Sequence, residues 1–412
     1  MPVFSGLQVG FEKLPSATLM NLPLALRRLL ASVQLPSPWL WCASGRIWQR
    51  FGARHLWRLP LELIQQLNWW LIRPLYIRRR PPALRKPWPW TLAFRACWLN
   101  SYRPSEVAWW WAIGERSWAR LSLHHPESLV NALHMERRQG WPDQCKPALR
   151  LLSDKAALLA SCPSHWRAPF LVLPPQQEGA SVQQQETPDW WWRALLGSGV
   201  VMKPQCGHAG RAVIRFRWAD SGLQQQALFR RLPETAAVLT RDAVPEPQQL
   251  LEHWRRLCHT NEAALAAPYL THSSVLPATD PSVVVRVITE RPTADAPVGL
   301  REAWLEVPLG EGTVALISTN GLVLPSPGDP LSASNQASLA GWQKLLQGGP
   351  LSCVEACLEA AQALHALLPP IDQVAWDWIP AEPVPLLLEG NGGFGLLVPQ
   401  LFEHLCRGAG DA

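Results

Sequence analysis

Apolar and polar positions alternate most clearly in the second half of the chain. Ser282 to Thr289 (SVVVRVIT) is a β-branched run with one arginine, Arg286, and its pattern predicts a strand. Arg301–Pro308 and Thr313–Ser318 read as further strands, with Asn320–Gly321 as a turn. Gly199 to Lys203 is a buried-looking strand, Gln205 to Ala212 (QCGHAGRA) a flexible Gly-containing loop, and Val213–Trp218 a return strand. Leu223 to Leu239 reads as strand and loop, and Ala266 to Leu270 as a short apolar segment. Helical spacing appears at Leu61–Tyr76, in two helices across Ser105–Leu133, at Asp189–Leu196, and at Pro247–Cys258. Pro147–Leu159 reads as a short strand or turn followed by a helix opening near Ser153. Ser352 with Glu355 predicts a capping box for a helix to about Leu368, with Leu351, Val354, Leu358, Ala361, Leu364 and Leu368 as its inner face. Pro174–Pro188 is Gln/Pro-rich and reads as an exposed linker.

The stretch from Val374 to Leu401 carries the chemistry. Val374–Trp376 and Pro385–Leu388 flank a proline-containing turn and predict two adjacent strands. Asp377 ends the first, and Glu389 and Asn391 end the second, in a D-x11-E-x-N spacing. Residues two apart on a strand share a face, so Glu389 and Asn391 project together, and a hairpin-like return brings Asp377 beside them. Two carboxylates and an amide oxygen suit a hard cation such as Mg²⁺, with phosphates completing its octahedron. The plainer alternative is a pair of solvated carboxylates beside an Asn-Gly-Gly turn. Two lysines extend the first reading. Lys203 ends the strand before the Gly loop, and Lys155 opens a helix near Ser153; each is either a solvated lysine or a cation directed at phosphate.

Composition adds a contrast between the two ends. The first 150 residues hold 21 Lys and Arg against 7 Asp and Glu, although the whole chain of 412 is only +6. From residue 46 to 120, eleven tryptophans are interleaved with arginines. That front reads as a helical subdomain, or as a surface for an anionic membrane or an acidic partner; nothing that marks a nucleic-acid binder accompanies the charge. No signal peptide and no apolar run of spanning length is evident, and nine scattered cysteines without a C-x-x-C pair fit reduced thiols, so a cytoplasmic protein, peripheral to the inner membrane face, is expected.

The order strand lysine, Gly loop, β-rich lobes, then D-x11-E-x-N resembles the ATP-grasp superfamily. The stretches PSVVVRVIT, WLEVPLGEGTVALISTNGLVLP and VAWDWIP…PLLLEGNGG look like its sugar-transfer-associated, glutamate-ligase-like branch. The resemblance implies an α+β fold: two lobes gripping a nucleotide, at 147–265 and 266–412, behind a basic, Trp-rich helical region at 1–146. It implies that Lys155 and Lys203 bind ATP phosphates under a loop of Gly207, His208 and Gly210. Ala267, Tyr269 and Leu270 would hold adenine through backbone groups. Arg286 and Lys203 would act in catalysis, and Asp377, Glu389 and Asn391 would hold one or two Mg²⁺. The implied reaction activates a carboxylate as an acylphosphate for attack by an amine, in surface-glycan or natural-product biosynthesis. A kinase acting on a hydroxyl and a non-catalytic docking module are the alternatives. Two departures stand out: Ala266–Ala267–Pro268 lacks the family's acidic or Gln hinge residue, and Ser318–Thr319–Asn320–Gly321 lacks its Asp-Asn pair.

Overall fold

A computed structural model describes residues 104–115, 142–174, 187–206, 212–220, 222–228, 244–258, 260, 262–310, 313–325 and 331–410, with isolated positions between 124 and 138. The expected helix at Leu61–Tyr76, most of the Trp-rich front, most of the second helix before Leu133, the body of the Pro174–Pro188 linker, the segment 229–239 and the loop residues Gly207, His208 and Gly210 lie outside them.

The helices run α1 (Pro104–Ala112), α2 (Pro142–Ser153), α3 (Lys155–Ser161), α4 (Asp189–Leu196), α5 (Pro247–Cys258), α6 (Ala333–Gln347), α7 (Ser352–Leu367) and α8 (Leu397–Gly410). The strands are β1 (Leu171–Leu173), β2 (Val200–Pro204), β3 (Ile214–Ala219), β4 (Gly222–Ala227), β5 (Ala264–Pro268), β6 (Val284–Glu290), β7 (Gly299–Gly310), β8 (Thr313–Ser318), β9 (Val323–Leu324), β10 (Gln373–Ile379) and β11 (Leu386–Asn391). The class is α+β, as expected. Two compact units result: 141–323 with 335–392, and 1–140 with 324–334 and 393–412.

The first of these units contains two sheets. One has the order β1-β5-β2-β3-β4, with all four pairings antiparallel. Alternation along β2 and β3 buries Val200, Met202, Ile214 and Phe216 on one face, where Trp191 and Leu195 of α4 and Leu250, Leu251 and Trp254 of α5 cover them. Buried indole N–H groups need acceptors: Trp191 Nε1 donates to the Pro245 carbonyl (3.2 Å) and Trp254 Nε1 to that of Ala212 (2.8 Å).

The larger sheet has the order β11-β10-β6-β7-β8-β9. Its two faces differ in chemistry. Val285, Val287, Leu305, Val307, Ile317, Trp376 and Trp378 are buried, and α7 packs against β6, β7 and β10. Arg286, Glu306, Asp377 and Glu389 belong to the alternate positions, so the charges share the opposite face, beside the buried Trp304.

Three local expectations need correction. Ser352 does not cap α7: the N-cap is Leu351, whose carbonyl accepts the N–H groups of Val354 and Glu355, both at 2.9 Å. The helix does not open at Ser153, which ends α2; it opens one residue on, where Asp154 caps α3, accepting from Ala156 N (2.9 Å) and Ala157 N (3.1 Å). Asp377 lies inside β10 rather than at its end, because pairing with both β6 and β11 extends the strand to Ile379.

The other unit is built around Trp110 of α1, fully buried, stacked on His124 at 4.2 Å and met edge-on by His404 of α8. Glu127 accepts the N–H of Leu397 (2.6 Å), placing a carboxylate at the start of α8. Among the described residues, no helix is long and apolar enough to cross a membrane.

Candidate active site

Antiparallel register places the central charges side by side. Asp377 pairs with Glu389 across β10–β11 and with Arg286 across β10–β6, so the three occupy one row on the charge-bearing face. Arg286 grips Asp377 with both ends of a fork: Nε donates to Oδ1 and Nη2 to Oδ2, each at 2.7 Å. On the other side, Arg286 Nη1 is 3.4 Å from Glu306 Oε1 on β7.

Strand alternation turns Glu389 and Asn391 the same way, and Gly390 between them lets the back of β11 pack closely. A Cβ there would stand 2.7 Å from the Trp376 ring and 2.9 Å from Leu152, so only glycine lets β11 press against β10 and α2. A Cβ on Gly392 would stand 2.8 Å from Leu149 and 3.2 Å from Leu152 of α2. The backs of both glycines are thus filled, and the polar side chains on either side of Gly390 turn to the opposite face. Asn391 Nδ2 then donates to Glu389 Oε1 (3.3 Å).

Both candidate lysines reach this edge from outside the large sheet. Lys155, the first residue of α3, puts Nζ 3.8 Å from Glu389 Oε2. Lys203 of β2 donates to the Leu388 carbonyl at 2.9 Å. The base of the Gly loop is bolted to α3: the Lys155 N–H donates to the Gln205 carbonyl (3.1 Å), and Gln205 Nε2 donates to both oxygens of Asp154 (3.0 and 2.9 Å).

Burial and charge pull these groups in different directions. Burial, reinforced by Glu389 and Glu306 and opposed by Arg286, pushes Asp377 up to about 7. Burial would also raise Glu389, but Lys203 and Lys155 hold it below its ordinary value. Lys203 is lowered by burial, which Glu389 partly offsets. Arg286 is raised: burial opposes its charge, and Asp377 and Glu306 outweigh that.

The predicted adenine-binding stretch is less open. Ala267 is paired with Val201 inside the small sheet. The Tyr269 N–H donates to the Gly199 carbonyl (2.8 Å) and its carbonyl accepts from Ser198 Oγ (3.1 Å). The Leu270 carbonyl accepts from Ser282 Oγ (2.7 Å). The Tyr269 ring lies under the Arg215 guanidinium at 3.8 Å, with its hydroxyl donating to Asp280 (3.0 Å). None of these contacts involves a member of the charged row.

The donor set fits a hard divalent ion. Glu389 and Asp377 offer carboxylate oxygens, and Asn391, using its amide nitrogen toward Glu389, keeps its oxygen as acceptor. Among the described residues no three or more His, Cys, Asp or Glu side chains gather as a metal cage, so further ligands would come from water or phosphate.

Sequence reading missed Glu306 and Gln205. The signal for Glu306 was present: a carboxylate alone in the apolar run WLEVPLG, at the same parity as Trp304, which pairs with Arg286. Gln205 had no such signal, since its partner Asp154 is 51 residues away.

A comparison with protein-family models finds no match, and neither does a comparison with curated proteins. Similar solved structures include the D-alanine–D-alanine ligase of Bacillus anthracis complexed with ATP, at 10% identity and a TM-score of 0.33, over 62% of this chain and 61% of that one. Another is the N5-carboxyaminoimidazole synthase of Aspergillus clavatus in complex with ADP and 5-aminoimidazole ribonucleotide, at 12% identity and a TM-score of 0.31, over 64% and 50%. A third is the D-cycloserine synthetase DcsG, at 14% identity and a TM-score of 0.32, over 68% and 77%. The chain spans less than two thirds of the length of the first two.

Proposed function

We propose that this chain is an ATP- and Mg²⁺-dependent ligase-like enzyme of the ATP-grasp kind, which activates a carboxylate as an acylphosphate for attack by an amine. The observation that carries the reading is convergence: Lys155 and Lys203, from a helix and a strand outside the large sheet, both reach β11 where the D-x11-E-x-N residues meet Arg286. Lysines facing carboxylates around one strand edge suit a phosphate chain carried by a divalent ion. When bound, Mg²⁺ would neutralise charge on the phosphate oxygens, held by Glu389, Asn391 and Asp377. Lys155 and Lys203 would take phosphate oxygens, and the Gly207–Gly210 loop with His208 would close over them. Arg286 would face the transferred phosphoryl group or the acyl substrate. The lobes would be 147–265 and 266–412. Hinge recognition of adenine at Ala267, Tyr269 and Leu270 would need backbone groups other than those now tied to Gly199, Ser198 and Ser282.

Calorimetric titration of the full chain with Mg-ATP tests this. Wild type binds; Glu389→Ala with Asn391→Ala does not. Equal affinity in the double variant sinks the assignment. Hydroxylamine added to ATP and a carboxylate pool then separates the chemistries. Hydroxamate with ADP release marks an acylphosphate, whereas a stable phosphorylated product without an amine marks a kinase. The basic front at 46–120 is proposed as a surface for anionic membrane, tested by flotation with anionic vesicles in low salt; failure to float removes that role.

A further inference from the structure

Resting on that reading, the geometry points to Glu306 as an exchangeable occupant of the anion subsite on Arg286: a positioning residue that holds the outer edge of the guanidinium until a substrate carboxylate or phosphoryl group replaces it.

The two carboxylates that flank Arg286 are not equivalent. Asp377 takes the Nε/Nη2 edge with two bonds of 2.7 Å, the strong bidentate arrangement. Glu306 meets only Nη1, at 3.4 Å, an ion pair without a hydrogen bond of ordinary length. Its side chain is 25% exposed, against 11% for Asp377. One contact is therefore fixed and the other loose. The Nη1/Nη2 edge keeps donors in the planar fork that matches a carboxylate or a phosphoryl group.

Sheet order gives the row a direction. Along β11, β10, β6 and β7 the charges run Glu389, Asp377, Arg286, Glu306, with about 4.8 Å between neighbouring strands. The lysines gather at the Glu389 end. Glu306 is three strands from β11, roughly 14 Å along the sheet, too far to share an ion with Glu389. A metal–phosphate role therefore does not explain it. A carboxylate resting on the edge that a substrate anion needs does have an effect: it competes. The incoming group must bring enough negative charge, or two well-placed oxygens, to displace it, which favours a phosphoryl or carboxylate group over a neutral acceptor.

The test uses the full chain titrated with Mg-ATP and, separately, with inorganic phosphate. Sparing the incoming anion the need to displace a partly buried ion pair on Arg286, intermediate between the exposed and buried cases, strengthens binding roughly tenfold. Glu306→Gln is expected to bind inorganic phosphate about tenfold more tightly than wild type, and Glu306→Asp to stay near wild type. A merely structural role would not survive a double-mutant cycle. In an Arg286→Gln background the gain from Glu306→Gln should vanish. Wild type that binds Mg-ATP, with unchanged phosphate affinity in Glu306→Gln, overturns the proposal and leaves the nucleotide reading standing. A gain that persists without Arg286 also overturns it. Wild type that binds phosphate but not Mg-ATP, with the gain present, supports the subsite and removes the nucleotide reading. Binding of neither probe by any variant removes both.

Discussion

His365 offers a sharp test of how the large sheet is held to its covering helix. The imidazole, near the C-terminus of α7, is fully buried. Its Nε2 lies 3.1 Å from the Ile371 carbonyl, which can only accept, so Nε2 carries the proton. Nδ1 then accepts from Thr289 Oγ1 (2.7 Å), and Thr289 in turn accepts from Trp376 Nε1 (2.8 Å). The Thr289 hydroxyl also lies 3.4 Å from the Val374 carbonyl, an alternative acceptor, so it is burial rather than the bonding that disfavours the charged ring. Burial, with Arg291 adding to it and Ile371 and Asp372 opposing, lowers the group to about 4. In the unfolded chain it titrates near 6.5. Between those values the unfolded state binds the extra proton. The stabilisation is therefore complete above about pH 6.5 and is lost as pH falls toward 4. Two and a half pH units at about 1.4 kcal/mol each amount to roughly 3 kcal/mol, a large share of an ordinary folding free energy. Urea midpoints of wild type and His365→Gln, measured from pH 7 to pH 4, isolate this group because the other titrations are common to both. Wild type should lose about 3 kcal/mol more than the variant across that window. Parallel pH curves would refute the assignment of a buried neutral histidine.

Two further perturbations probe how the site is supported. Gly390→Ala forces a methyl against the Trp376 ring and Leu152, and should destabilise by about 1–3 kcal/mol in chemical denaturation while weakening Mg-ATP binding, since β11 must move. Asp154→Ala removes the α3 cap and both bonds to Gln205; a loss of about 1–2 kcal/mol is expected, and an unchanged midpoint would show that the cap contributes nothing.

Much of the framework was legible locally. The β-branched run around Arg286 became β6, the apolar stripe before Pro369 became α7, and the proline turn between two apolar runs joined β10 to β11. Each depends on neighbours a few residues apart, where periodicity and turn chemistry act directly. Cys353 and Cys357, four residues apart on one face of α7, both sit in the core, with burial pushing both thiols up. An error of one residue arose at a helix boundary: α3 opens after Asp154, whose side chain accepts two first-turn N–H groups, not at Ser153.

The site itself belongs to tertiary structure. The spacing D-x11-E-x-N determined that Glu389 and Asn391 share a face, because strand alternation allows nothing else. It could not tell that Asp377 would be claimed by an arginine 91 residues away, or that Glu306 would stand on that arginine's far side. Those partners follow from the strand order β11-β10-β6-β7 and its register, and a shift of one residue in any pairing would send the charges to the opposite, buried face. Residue types and their local periods are written along the chain. Which charge meets which is decided only when distant strands come into register and water is excluded between them.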